Sequence, residues 1–194
     1  MSVYIFKEPL QPAHVQVPNG VRNLHIQIPG VVADTYTLYD GYSNFTSIVN
    51  STLELGFRFK VLQACQATAL RVYVKNTGGT PATFTANLWN HNTEALLGSV
   101  ILSNPGTSDT WVEAALATEV NLDADTEYVV SYGYTGGHGY VNPQAAGLGN
   151  VYIEPVGPNP GTDDRYGRTG GVVGVFPSNT SGSGSGYGVD VIVT

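Results

Sequence analysis

The chain is poor in cysteine, in charge and in long apolar runs, and each shortage narrows what the protein can be. Cys65 is the only cysteine among 194 residues, so no disulfide forms within the chain, and we expect a buried, inert thiol. Lysine and arginine together number 8 and the formal net charge is −7, which argues against binding to a nucleic-acid backbone. No apolar run approaches the roughly 20 residues that cross a bilayer. The N-terminus also lacks the basic and apolar regions of a signal peptide.

The composition that remains favours β-structure. Glycine reaches 24 residues, tyrosine outnumbers phenylalanine by 12 to 6, and charged residues make up 12% of the chain, so helix formers are few and turn formers many. From Leu53 to Val61 every odd position is apolar, which predicts a strand with one buried face. Further strands are predicted at 70–75, 84–89, 96–102, 111–116, 127–132, 150–153 and 187–194.

The spacing of these strands predicts an all-β fold, an antiparallel sandwich or a barrel, over residues 37–194. Within it, residues 133–186 are rich in glycine, proline, asparagine and tyrosine, which predicts long loops of the kind that carry binding sites. Residues 1–36 differ, because they contain four prolines and short alternating pieces on either side of Asn19 and Gly20. This pattern predicts an extended arm or hairpin that lies against the main domain or a neighbouring subunit.

No catalytic machinery is recognisable in the sequence. A Gly-x-Ser-x-Gly elbow, a phosphate-binding loop and a dinucleotide fingerprint are all missing, and the four histidines lack the spacing of metal ligands. Residues 123–127 resemble the start of a calcium loop but lack its later glycine and closing glutamate. A polar turn before a strand is the better interpretation. We therefore predict that the protein is not an enzyme and that it uses no metal or cofactor.

Seven pieces of the chain, taken in order between Thr37 and Thr194, resemble the bacterial and phage family called domain of unknown function 4082. They include Ala-Asn-Leu-Trp at 86–89, Thr-Glu-Tyr-Val-Val-Ser-Tyr at 126–132, Gly-His-Gly-Tyr at 137–140 and Val-Asp-Val at 189–191. The other pieces lie at 54–59, 69–73 and 111–113. Gly188 departs from the family, which tends to have a bulky aromatic residue before the final strand. The resemblance does not extend to residues 1–36.

This resemblance implies an immunoglobulin-like or jelly-roll-like sandwich. Such domains accompany extracellular carbohydrate-active proteins and occur in phage tail proteins. A glycan ligand would fit the aromatic residues of the sequence, because an aromatic ring stacks on the apolar face of a sugar while polar side chains bond its hydroxyl groups.

The candidate ligand-binding residues lie mostly in the predicted loops. Trp89 is in phase with Thr85 and Asn87 on the outward face of its strand, although packing in the core or at a sheet edge is the alternative for this ring. His138 stands between glycines that would let a ligand approach the backbone closely. The predicted glycan-binding residues are Trp89, Tyr134, His138, Tyr140, Asn142, Arg165 and Tyr166.

The favoured function is that of a bacteriophage virion structural protein, a minor tail, fibre or capsid-surface decoration component that displays a glycan-binding sandwich for host attachment. Such a protein assembles in the host cytoplasm and works outside it, so it needs neither a signal nor a disulfide. The expected partners are other virion proteins, bound through residues 1–36 by strand addition, further copies of the chain in a homo-oligomer, and a host cell-surface glycan. We expect no nucleic acid and no membrane. The alternatives are a carbohydrate-binding module of a secreted bacterial protein and, third, a polysaccharide-degrading enzyme.

Overall fold

The protein is an all-β sandwich of two antiparallel sheets, as the sequence predicts. The structure, a computed structural model, describes residues 34–39, 50–51, 54–74, 83–106, 110–133, 138–139, 149–156, 167–180 and 187–194. At 50–51, 138–139, 167–169 and 180 we describe the backbone alone. Within these ranges no helix has the length and apolar character of a membrane span.

Thirteen strands follow one another in the described part of the chain. They are β1 (Tyr36–Thr37), β2 (Asn50–Ser51), β3 (Glu54–Val61), β4 (Cys65–Val74), β5 (Thr83–Asn90), β6 (Leu96–Ser103), β7 (Thr110–Leu122), β8 (Glu127–Gly133), β9 (His138–Gly139), β10 (Ile153–Pro155), β11 (Gly167–Gly170), β12 (Asn179–Thr180) and β13 (Val189–Val193). The smaller sheet has the order β1-β13-β4-β7. The larger has the order β12-β11-β3-β8-β5-β6, with β10 also paired to β3, and β2 pairs with β9.

The main core lies between the two sheets and follows the alternation seen in the sequence. Leu55, Phe57 and Phe59 of β3 are fully buried, and they belong to one cluster with Leu70 and Val72 of the smaller sheet. Burial of each such side chain stabilises the fold by roughly 1.5–3 kcal/mol. This cluster is therefore the main source of stability.

The lone cysteine belongs to the same core. Cys65 is buried, as predicted. Burial also raises the pKa of its thiol to about 11, so the reactive thiolate form is scarce near neutral pH.

Two strands are longer than their sequence patterns predict. β4 begins at Cys65 and β7 runs from Thr110 to Leu122. The register between them shifts, because Ala67 lies opposite Val120 whereas Ala69 lies opposite Ala115. This bulge adds residues to β7 and breaks the period of two on which the prediction depended.

The two ends of the sandwich differ in how they connect the strands. At the lower end, where β3 ends and β4 and β8 begin, the connections 62–64, 91–95 and 123–126 are short and closed by hydrogen bonds such as Asp125 N–H to Val61 O at 2.8 Å. At the upper end, where β3 begins and β4 and β8 end, the connections 40–49, 75–82, 104–109 and 134–137 start or finish. The two longest of the connections named here, 40–49 and 75–82, thus have at least one end at the upper end.

The described part of the domain begins at Asp34, and Tyr36 pairs with Val193. Residues 1–33 lie outside the described ranges. The arm or hairpin predicted for residues 1–36 therefore stays a prediction.

Candidate functional site

The face of the larger sheet that is turned away from the main core carries a row of small and polar residues. Gly170, Glu54, Gly133 and Thr85 lie opposite one another across β11, β3, β8 and β5. The next row along the strands contains Gly56, Ser131 and Asn87. Because side chains alternate between the faces of a strand, these positions are turned away from the apolar residues of the main core.

The segment 171–178, which we call the strap, lies directly on these rows. A Cβ at Gly133 would collide with the Glu54 carboxyl and with Val173 of the strap. A Cβ at Gly56 would come within 3.1 Å of Pro177. The absence of side chains at these two glycines is what lets the strap approach the sheet so closely.

Four side chains beneath the strap form a hydrogen-bonded group that we call the Glu54 cluster, made of Glu54, Asn87, Trp89 and Ser131. Asn87 Nδ2 donates to Glu54 Oε1 at 2.9 Å, and the Ser131 hydroxyl donates to the same oxygen at 2.5 Å. The indole Nε1 of Trp89 donates to Ser131 Oγ at 2.7 Å. The strap closes the group, because Gly174 N–H donates to Glu54 Oε2 at 2.9 Å.

The Glu54 cluster contains one carboxyl group, which is buried and accepts hydrogen bonds from neutral donors. Glu54 is 0% exposed. Burial raises the pKa of its carboxyl group above the ordinary value, while the hydrogen bonds from Gly174, Ser131 and Asn87 lower it. Burial outweighs the hydrogen bonds because neutral donors replace lost hydration only in part.

Trp89 lies on the predicted face, but that face is covered. The ring is 4% exposed and packs edge to face on Phe176 of the strap, with centroids 5.9 Å apart. Together with Val129, these rings form a second, smaller apolar cluster. The ring face that a sugar would need is occupied in this arrangement, and the structure shows the packed alternative for this tryptophan.

A second buried carboxylate ties the start of the domain to its last strand. Asp190 accepts hydrogen bonds from the backbone N–H groups of Leu38 at 2.9 Å and Tyr39 at 3.2 Å. It also pairs with Arg71, whose Nη2 lies 2.8 Å away and whose guanidinium lies 4.3 Å from the ring centroid of Trp111. Burial raises the pKa of Asp190, and Arg71 acts in the opposite direction. We call this group the Asp190 clasp.

Six other residues are predicted to bind the ligand. Tyr134, Tyr140, Asn142, Arg165 and Tyr166 lie outside the described ranges, and His138 is described only as a backbone position of β9, opposite Ser51.

The described residues that flank two of these positions lie at different heights along the larger sheet. Tyr134 follows Gly133, the last residue of β8 at the upper end. Tyr166 precedes Gly167, which pairs with Phe57 in the middle of β3. Three residues of strand, about 10 Å, separate Phe57 from Glu54 at the upper end.

Metal binding finds no support in the described ranges, where no group of three His, Cys, Asp or Glu side chains could hold an ion. The segment resembling a calcium loop is instead a turn at Ala124 and Asp125. Asp125 adopts a φ of 59° and pairs with Lys60 at 2.8 Å. The predicted polar turn is confirmed.

A comparison with protein families gives a match over most of the described sandwich. The family model described as Domain of unknown function (DUF4082) matches residues 43–189, most of the chain. The chain belongs to this family. The resemblance found in the sequence is thereby confirmed, and the matched residues include the strap and all four members of the Glu54 cluster. A comparison with curated proteins gave no match.

Sequence reasoning missed both buried carboxylates of this DUF4082 domain. Glu54 and Asp190 occupy the polar positions of alternating strands, which predicts exposure to solvent, yet both are 0% exposed. One signal for Glu54 was available, since glycine at 56 and 133 marks a place where another segment approaches a sheet. No comparable signal exists for Asp190.

Proposed function

We propose that this DUF4082 chain is a non-enzymatic virion component that displays a glycan-binding sandwich. The observation that carries the proposal is the difference between the two ends of the sandwich. The connections at the lower end are closed by hydrogen bonds, whereas the longer connections 40–49 and 75–82 start or finish at the upper end, where β8 ends one residue before Tyr134. Binding sites on sandwich domains are commonly built from the loops at one end.

The buried acids support a binding role over a catalytic one. A general acid or base must reach its substrate, whereas Asp190 is fully buried and accepts hydrogen bonds from the backbone N–H groups of Leu38 and Tyr39. In this position its carboxyl group holds residues 38–39 against the smaller sheet. With the strap in place, Glu54 is buried in the same way and holds Gly174.

Assembly in a reducing cytoplasm agrees with the way the fold is held together. Cys65 is the only cysteine of the chain and is buried. No disulfide within the chain therefore stabilises the sandwich. Its described segments are fixed by hydrogen bonds and an ion pair instead. Residues 1–33 precede the described domain and are the proposed attachment to other virion proteins.

A glycan array probed with the full chain tests the binding half of the proposal. We expect at least one bacterial surface glycan to bind, and Tyr134→Ala and Tyr140→Ala to weaken that binding about tenfold or more, which corresponds to ~1.4 kcal/mol or more. Asn92→Ala, an exposed position in a lower-end turn, is the matched control and should leave affinity unchanged. An array without hits would remove the support for glycan binding.

Incorporation into particles tests the virion half separately. A variant lacking residues 2–33 keeps β1 and the Asp190 clasp, so we expect it to fold with an unchanged thermal transition. It should nevertheless be missing from purified virions when it replaces the full chain. Normal incorporation of the variant would refute attachment through this region, whereas absence of the full chain itself from purified virions would favour the alternative of a carbohydrate-binding module from a secreted protein.

A further inference from the structure

We propose that the strap is a built-in occupant of a second glycan site, formed on the sheet face by Trp89, Asn87, Ser131 and Glu54, and that a neutral pyranose binds there when the strap lifts. The proposal deepens the proposed function, since it assumes a glycan ligand. It adds a site on the sheet face beneath the strap and names the residues that would bind the sugar.

The first argument is the chemistry that the strap covers. An apolar surface on the sheet would be enough to hold an apolar strap. Replacing buried charged groups by well-packed apolar residues of similar volume often leaves a protein equally stable or more stable. Here the strap covers a carboxyl group, an amide, a hydroxyl and an indole N–H instead. Polar groups kept at such a cost to stability are found at functional sites.

The second argument is that the strap occupies each position that a sugar would use. Phe176 packs on Trp89, where the apolar C–H face of a pyranose would stack. Gly174 N–H donates to Glu54 Oε2, where a sugar hydroxyl would donate. Asn87 and Ser131 meet at the other carboxyl oxygen, so the polar groups lie beside the indole within the width of one sugar ring.

The third argument is that residues 171–175, which we call the crown of the strap, are exposed except for the half-buried Val173. Val172 and Val175 are exposed apolar residues, and no atom lies within 4 Å of a Cβ built on Gly171 or Gly174. Gly174 also adopts a φ of +77°, which L side chains rarely adopt. Exposed side chains and glycines in open space, as found at these four residues, are features of segments that open locally.

The ligand class follows from the charge of the cluster. Its hydrogen-bonding groups are one carboxyl and three neutral donors. Arg58, a cation on the same sheet face in the row of Val129 and Trp89, is already paired with Glu127. An acidic sugar would therefore meet the Glu54 carboxylate without a free cation beside it in the described cluster. A neutral hexose or N-acetylhexosamine avoids this repulsion and supplies the hydroxyl donors that Glu54 accepts. Because the strap must lift first, the apparent affinity of the wild-type protein is lowered by the fraction of molecules that are open.

The test compares strap-opening variants of the full chain on an array of neutral hexose and N-acetylhexosamine oligosaccharides. Phe176→Ala removes the ring that covers Trp89, and Gly174→Pro removes the N–H donor and cannot adopt the positive φ. Both variants should bind a neutral oligosaccharide at least tenfold more tightly than the wild type. Adding Trp89→Phe or Glu54→Gln to Phe176→Ala should reverse the gain, and Val172→Ala on the exposed crown is the matched control.

Hydrogen exchange of residues 170–178 shows whether the strap has opened without unfolding the sandwich. Faster exchange confined to the strap, together with tighter binding, supports the proposal. Faster exchange without any gain in binding overturns it, as does a gain that survives Trp89→Phe and Glu54→Gln. Tyr134→Ala and Tyr140→Ala serve as the separate test of the upper-end loops, so each glycan site can fail while the other stands.

Discussion

The two buried carboxylates of this protein perform similar tasks in different electrostatic settings. Asp190 and Glu54 each accept backbone N–H groups from a segment that lies on a sheet. Asp190 has a cation, Arg71, at 2.8 Å, whereas the hydrogen bonds to Glu54 come from the neutral side chains of Asn87 and Ser131. Burial raises the pKa of both carboxyl groups, and the difference is that Arg71 opposes this shift at Asp190 whereas neutral donors alone oppose it at Glu54.

The largest loss of stability is expected from breaking the Asp190 clasp, in which the carboxylate is paired with Arg71. Asp190→Ala leaves Arg71 without its partner and the N–H groups of residues 38–39 without their acceptor. We expect the free energy of unfolding to fall by about 3–5 kcal/mol in chemical denaturation, the usual cost of breaking a buried ion pair. Arg71→Met should cost a similar amount, and the double variant should cost less than the sum. Full additivity would show that the two side chains act independently.

A smaller effect is expected from forcing the strap away from Glu54. Gly133→Ala places a methyl group where Val173 and the Glu54 carboxyl now lie. We expect a loss of about 1–3 kcal/mol, the usual range for overpacking, and faster hydrogen exchange in the strap. Gly171→Ala, where a Cβ meets open space, should change stability by no more than about 0.5 kcal/mol. Equal effects of the two substitutions would contradict the close approach at Gly133.

The pH dependence of stability sharpens the contrast further. Because burial raises the pKa of Glu54 above 4.5, its contribution to stability is complete below that pH and is lost as the pH rises through the raised value. The stability of the wild type relative to Glu54→Gln should therefore decline over this window. Denaturation of both proteins at a series of pH values measures the difference, and a constant difference would show that Glu54 titrates normally.

The smallest effect is expected for the reactivity of Cys65, a buried residue that belongs to neither the Glu54 cluster nor the Asp190 clasp. With a pKa raised to about 11 by burial, the Cys65 thiol should react with iodoacetamide at pH 8 far more slowly than an unfolded control. The denatured protein should label at the rate of a free cysteine. Rapid labelling of the native protein, followed by mass spectrometry, would show that the core around Cys65 opens readily.

The sequence predicts the sandwich well because its strongest signal is local. Alternation along β3, β5 and β8 reports burial against the main core, and this depends on neighbours within the same strand. The prediction weakened at β4 and β7, where a bulge interrupts the alternation. The sequence of a single strand shows its alternation, but it does not show where a bulge adds residues, because a bulge is defined by the pairing of two strands.

The candidate site was harder to predict because its members are distant along the chain. Trp89 was assigned to the outward face, and its strand does place it there, but the Phe176 that covers it comes from the strap. Glu54 looks like a solvated strand residue until Gly174, 120 residues later, is brought onto it. The interpretation of the upper-end loops rests on sequence alone and stays a prediction.

By itself, the sequence determined the longer β-strands, the main core, the inert cysteine and the family, because each depends on residue type and short-range periodicity. The tertiary structure alone decided which polar positions are buried, since burial on the second face of a sheet depends on segments that arrive from far along the chain. It was this long-range packing that turned two apparently exposed acids into the Glu54 cluster and the Asp190 clasp.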